Sequence, residues 1–115
     1  MGNVVTRTAN IQIVNNFFYG DIKTLTVTHK FGGTEKTLTW TDIKQNTVSS
    51  EMKQVTYQTG PATDWDFWKI EITLTNGYVW KNNGWKRCYL EARDDNTNGR
   101  CVNFEVSEGN FFFFH

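Results

Sequence analysis

The stretch Trp68-Lys69-Ile70-Glu71-Ile72-Thr73-Leu74-Thr75-Asn76-Gly77-Tyr78-Val79-Trp80 decides the fold class. Trp68, Ile70, Ile72 and Leu74 alternate with Lys69, Glu71 and Thr73, the period of a strand with one buried face and one wet face. Asn76-Gly77 follows, a pair that accepts the two positive φ angles of a type I′ turn, and Tyr78 and Trp80 return on a partner strand. The same alternation spreads outward from this hairpin. Upstream, Ala9, Ile11 and Ile13 alternate with Asn10 and Gln12, and Leu25, Val27, His29 and Phe31 alternate with Thr24, Thr26 and Thr28. Beyond Gly32-Gly33, Leu38 and Trp40 stand against Thr37 and Thr39, and a weaker run with Val55 and Tyr57 ends at Thr59-Gly60-Pro61. Downstream, Asn82-Asn83-Gly84 turns the chain again, and Cys88, Leu90 and Ala92 share one face of the next expected strand. The loop from Asp94 to Gly99 leads to Val102, Phe104 and Val106, and a last strand holds Phe111 to Phe114.

Composition agrees with this pattern. The 115 residues include three alanines and four leucines against sixteen threonines, and 16% are aromatic, so helix formers are scarce and strand formers abundant. The expected fold is all-β: a single two-layer antiparallel β-sandwich of about eight or nine strands, with residues 1–6 as a flexible N-terminus. Twelve basic and twelve acidic side chains cancel, which argues against a nucleic-acid partner and against a polybasic membrane clamp. No run approaches the roughly 20 apolar residues of a spanning helix. Met1 to Thr6 show no apolar leader, and no Asn-x-Ser/Thr sequon occurs, so a cytoplasmic location is expected, with non-classical secretion left open. Gly2 followed by Thr6 fits the N-myristoylation pattern; a start codon followed by a permissive glycine is the plainer reading.

Beyond these patterns, several motifs carry a family resemblance. Val27-Thr28-His29-Lys30-Phe31 precedes Leu38 and Trp40, and Val55-Thr56-Tyr57-Gln58-Thr59-Gly60 precedes Asp64-Trp65-Asp66-Phe67-Trp68-Lys69-Ile70. In order and spacing, these resemble the small domain family named as up-regulated in long-lived nematodes with a defective insulin-like receptor. The resemblance runs from about Arg7 to Val106 and implies a compact β-sandwich, with a looser architectural likeness to aegerolysins, which bind membrane lipids. It brings no established activity and no catalytic residues. The cluster Trp65-Asp66-Phe67-Trp68 departs from the family's tight Trp pair, and the Phe111–Phe114 tail is unusual.

Candidate chemistry falls mainly on the connecting bends, where sandwiches usually bind ligands. Trp65 and Phe67 offer rings that stack on sugars or settle at a headgroup boundary, and Asp64 and Asp66 offer carboxylates that accept hydroxyl hydrogens. Packing in the core or the loop is the competing reading for both rings, whereas Trp68 leads into Ile70 and Ile72 and belongs to the core. Tyr19 and Trp85 are candidates to join the same aromatic patch. Asp94, Asn96 and Asn98 sit at the first, third and fifth places of a calcium-loop pattern with Gly99 sixth and Glu105 twelfth. An extended strand would carry Glu105 about 20 Å beyond Gly99, which favours a plain polar hairpin loop over a weak calcium site. If that loop closes a hairpin, Ala92 faces Cys101. Cys88 and Cys101 then lie roughly 13 Å out of step, too far for a disulfide, and two free thiols are expected.

His29 shares the parity of the apolar residues around it and is expected inside, satisfied by one backbone or hydroxyl partner. No zinc quartet, nucleophile elbow or phosphate loop occurs, and Asp64 and Asp66, two apart, are badly placed to flank a scissile bond. Four consecutive phenylalanines must turn two rings away from their own core, so Phe111 and Phe113 are candidate interface residues of a homo-oligomer. The leading expectation is a non-enzymatic module that recognises a glycan or a lipid headgroup, with possible peripheral membrane contact, no nucleic acid partner, and no cofactor unless calcium. A stress-associated structural or self-associating protein is the alternative, and a weak calcium binder a further one.

Overall fold

The computed structural model describes residues 4–17, 20–61, 66–82, 84–99, 101–107 and 110–114, with backbone alone for 98 and 110–114. Among the described residues nine strands are formed: β1 (Val5–Asn15), β2 (Ile22–Phe31), β3 (Thr34–Ile43), β4 (Lys53–Thr59), β5 (Asp66–Leu74), β6 (Val79–Lys81), β7 (Lys86–Arg87), β8 (Val102–Ser107) and β9 (Asn110–Phe114). They make a four-stranded sheet in the order β4-β1-β8-β9 and a five-stranded sheet in the order β3-β2-β5-β6, with β7 also paired to β5. The all-β sandwich is therefore the fold. Val5 and Thr6, expected in a flexible N-terminus, are strand residues opposite Thr59 and Gln58.

Alternation explains where the core sits. Along β5 every second residue from Asp66 to Leu74 is buried, and β1 and β2 show the same rhythm over Ala9–Asn15 and Leu25–His29. The inward residues include Ile11, Ile13, Leu25, Val27, Trp68, Ile72 and Phe104, each with no exposed surface. Burial of each such side chain contributes on the order of 1.5–3 kcal/mol. Trp68 is in the core as expected, its indole N–H donating to the Cys88 carbonyl at 2.9 Å. One end of the sandwich is tied by Asn15, fully buried, whose amide donates to the Gly20 and Ile43 carbonyls while its oxygen accepts from Phe17 N–H.

Two expectations are corrected. At Asn76-Gly77 only Gly77 takes a positive φ, 92°. Gly77 N–H bonds the Leu74 carbonyl and Leu74 N–H bonds the Tyr78 carbonyl, so a type I turn closes on a glycine bulge, the other common hairpin solution. The larger change lies downstream. Cys88, Leu90 and Ala92 do not form a strand, and no hairpin places Ala92 opposite Cys101. Instead the chain leaves β7, makes two short 3-10 turns at Ala92–Asp94 and Asn96–Asn98, and crosses to the other sheet. There β8 runs parallel to β1, Ile11 facing Val102 and Ile13 facing Phe104. The sandwich is thus antiparallel except at this pair. Cys88 and Cys101 are free, but the hairpin register that suggested it does not exist.

The buried polar groups account for the crossing. Asp66 Oδ1 meets His29 Nε2 at 2.7 Å, and Asp66 Oδ2 accepts the Leu90 N–H at 3.1 Å. Cys88 N–H bonds the Asp66 carbonyl, and Tyr57 donates its hydroxyl to the Glu91 carbonyl at 2.7 Å. Segment 88–91 is therefore held by the start of β5 at Cys88 and by the side chains of Asp66 and Tyr57 at Leu90 and Glu91.

Candidate functional site

The outer face of the five-stranded sheet presents the residues that alternate with the core. Thr24, Thr26 and Thr28 of β2 stand opposite Thr41, Thr39 and Thr37 of β3, and on the other side opposite Thr73, Glu71 and Lys69 of β5. The Thr28 and Thr37 hydroxyls share a hydrogen bond at 3.1 Å. Lys81 of β6 pairs with Glu71. After Lys81 the ladder along β5 is interrupted until β7, and Asn82 spans the gap. Its side-chain oxygen accepts the Ile70 N–H at 2.7 Å, and its amide donates to the Trp68 and Gly84 carbonyls. The described residues of the connection, Asn82 and Gly84, form a rim on the outer face next to Trp85.

Between this rim and the threonines lies a groove of about 340 Å³, lined by Thr26, Thr28, Lys69, Glu71, Lys81 and Asn82 among others. Trp85, half-buried, stands beside it with Lys69 Nζ at 4.6 Å and Lys30 Nζ at 5.3 Å from its ring centre. An ammonium at that distance is held by the ring quadrupole. Among the described residues, the carboxylates paired with lysine or arginine are those of Asp21, Glu51, Glu91 and Asp95, and Asp66 meets His29. Lys30, Lys69, Lys81 and Glu71 take part in none of these pairs. The groove therefore combines hydroxyl donors and acceptors, unneutralised ammonium groups and one aromatic edge, with no histidine or cysteine among its lining residues.

The structure distributes the residues expected at the end loops quite differently. Asp66 is 1% exposed and committed to His29 and Leu90, so its carboxylate does not face a ligand. The reason is parity: Asp66 shares the face of Trp68, Ile70 and Ile72, and an inward carboxylate needs inward donors. His29 is inside, as expected, but it meets that carboxylate rather than a backbone or hydroxyl group. Phe67 is half-buried on the opposite parity, between Lys30 and Arg87 in the ladder. Trp85 stands beside the outer-face groove, next to its lining residues Lys69 and Gly84. Tyr19, Asp64 and Trp65 lie outside the described residues, as does Gly2.

A family model described as "Up-Regulated in long-lived daf-2" matches residues 5–106, from the start of β1 into β8. The chain belongs to that family. No curated protein matches it by sequence. The family region takes in both sheets, the groove and the buried His29–Asp66 pair, while β9 with Phe111 and Phe113 falls beyond it. In β9 those two positions register with Val106 and Phe104, and their side chains lie outside the description.

Within the family region, the Asp94–Gly99 loop uses its oxygens internally. Asp94, 1% exposed, accepts the Glu91 N–H at 2.8 Å. Asp95 accepts from Thr97 N–H and hydroxyl and from Arg7, and these bonds, led by the Thr97 N–H, hold its carboxyl below the usual carboxylate range. Asn96 accepts from the Thr8 hydroxyl, and the side chain of Asn98 is outside the description. No group of three or more His, Cys, Asp or Glu side chains that could hold an ion occurs among the described residues.

Lys30, Lys69, Lys81, Thr26 and Thr28 were not singled out by the sequence, where each looks like an ordinary solvent-facing strand residue. The usable signal is Trp85, an aromatic that follows the Asn82-Asn83-Gly84 turn with no apolar partner at strand spacing.

Proposed function

We propose that the chain is a non-enzymatic recognition module that takes a sugar ring or a lipid headgroup in the groove on the outer face of its five-stranded sheet. The observation that carries this reading is Trp85, held half-exposed beside a 340 Å³ hydroxyl-lined groove by two lysines within 5.3 Å of its ring. An indole edge with neighbouring hydroxyls and ammonium groups is complementary to a polyol, whose C–H faces stack and whose hydroxyls hydrogen-bond. A non-enzymatic role is favoured because the described pair nearest in kind to a catalytic dyad, His29 and Asp66, is 2% and 1% exposed and engaged inside the core.

The test is binding to a glycan array and to headgroup-bearing vesicles, followed by intrinsic tryptophan fluorescence with the hits. Trp85→Ala should weaken every hit at least about tenfold, the effect of losing a contact of ~1.4 kcal/mol, while leaving the thermal midpoint unchanged. Binding that survives Trp85→Ala intact would place recognition elsewhere on the molecule.

A further inference from the structure

We infer that the groove selects a polyol ring bearing a phosphate, and that Lys69 and Lys81 are the residues that take the phosphate. This rests on the recognition reading above and narrows it to one ligand chemistry. Lys69 and Lys81 line the groove with a single carboxylate, Glu71, and Lys30 reaches the Trp85 ring beside it, on a chain whose formal net charge is zero. Elsewhere on the molecule, Arg7, Lys44, Lys53 and Arg93 each stand within 3.5 Å of a carboxylate oxygen. Among the described ion pairs, none includes the groove lysines, so here two lysines share one carboxylate without closing an ion pair.

The register fixes the spacing of these charges. Glu71 faces Lys81 directly, and Lys69 lies two residues along β5 on the same face. Lys69 and Lys81 are then diagonal neighbours, with Cα atoms about 7–8 Å apart, a span that two lysine side chains close around one tetrahedral anion. Ammonium groups act on phosphate as point charges that approach from several directions, which suits a groove wall better than the planar fork that a carboxylate favours. The Thr26 and Thr28 hydroxyls on the opposite wall supply neutral donors and acceptors for ring hydroxyls, and Trp85 supplies an aromatic edge for apolar contact. Glu71 sits between the cations; it accepts hydroxyl hydrogens and repels an anion, so it limits affinity for a multiply charged ligand.

Calorimetric titration of the full chain with an inositol monophosphate and with myo-inositol tests the charge requirement. Sedimentation with phosphatidylinositol vesicles, against phosphatidylcholine vesicles, separates a lipid source from a free one. The phosphorylated ring should bind and the neutral ring should not, and affinity should fall as salt is raised. Lys69→Ala and Lys81→Ala should each weaken the phosphorylated ligand by about tenfold, and Glu71→Gln should strengthen it several-fold. All three positions are exposed, so an unchanged thermal midpoint separates lost contacts from lost fold. Neutral sugars that bind through Trp85 with no response to Lys69→Ala would overturn phosphate selection and leave polyol recognition in place. Failure of every sugar, free or on vesicles, would overturn both.

Discussion

Replacing Asp66 with alanine tests the feature on which segment 88–91 depends. The carboxylate accepts from His29 Nε2 at 2.7 Å and from the Leu90 N–H at 3.1 Å, and His29, Asp66 and Leu90 are 2%, 1% and 3% exposed. Because a carboxylate only accepts, the imidazole donates from Nε2. Asp66→Ala leaves two buried donors without partners, at a cost of about 1–3 kcal/mol each, and opens a small cavity beside Trp68, whose ring lies 4.2 Å from that of His29. Together these amount to about 3–5 kcal/mol, against a total stability on the order of 5–15 kcal/mol for a domain of this size. At about 4 °C per kcal/mol for this chain length, the thermal midpoint should fall by roughly 12–20 °C.

Asp66→Asn behaves differently. Its amide oxygen accepts the Leu90 N–H while its nitrogen donates to the other tautomer of His29, so the loss should be near 1 kcal/mol. The double variant Asp66→Ala/His29→Ala should cost less than the two single changes added, because one buried pair is lost rather than two groups orphaned separately. Urea melts of the wild type, Asp66→Ala, Asp66→Asn, His29→Ala and the double variant decide the matter. An Asp66→Ala loss below about 1 kcal/mol, or strict additivity in the double variant, would refute the idea that this pair anchors the crossing between the sheets.

Four further outcomes follow from the same geometry. Asn82→Ala removes three side-chain hydrogen bonds that span the break between β6 and β7; stability should fall by about 1–3 kcal/mol and the fluorescence of Trp85 should shift as its rim loosens. The Asp95 carboxyl is held low in the folded state, so its contribution is present above the unfolded value near 3.9 and lost as pH falls through the folded one. Thr97→Ala should move that acid loss to higher pH, read by an NMR titration of Asp95. Burial first, and then the charges of Asp94 and Asp95, push the Tyr57 hydroxyl up, so its contribution is complete below the unfolded value near 10 and is lost as pH rises above it. Tyr57→Phe should cost about 1 kcal/mol at neutral pH through the lost bond to the Glu91 carbonyl and should remove that alkaline loss. Titration of the denatured, unreduced protein should find two thiols, with Cys101 slow in the native state because burial raises its thiol.

Local alternation determined much of the molecule. Where one face of a strand must be dry, as from Trp68 to Leu74 or Leu25 to His29, period-2 spacing leaves a single register, so strand, core and inward His29 were all readable from sequence. The same parity already placed Asp66 inside, although its neighbours Trp65 and Phe67 suggested a ligand loop. What only the tertiary structure decided is the partner of each strand and the use of each outer face. Val102 to Val106 alternate in the same way whether they close a hairpin or lie parallel to β1. That choice depends on long-range bonds from Asp66 and Tyr57 to segment 88–91, which no local window contains. Outer-face residues are less constrained still, because a solvated lysine or threonine meets no packing requirement. Lys69, Lys81 and Trp85 become a candidate site only when Asn82 and Gly84 supply one rim and pairing places threonines on the other.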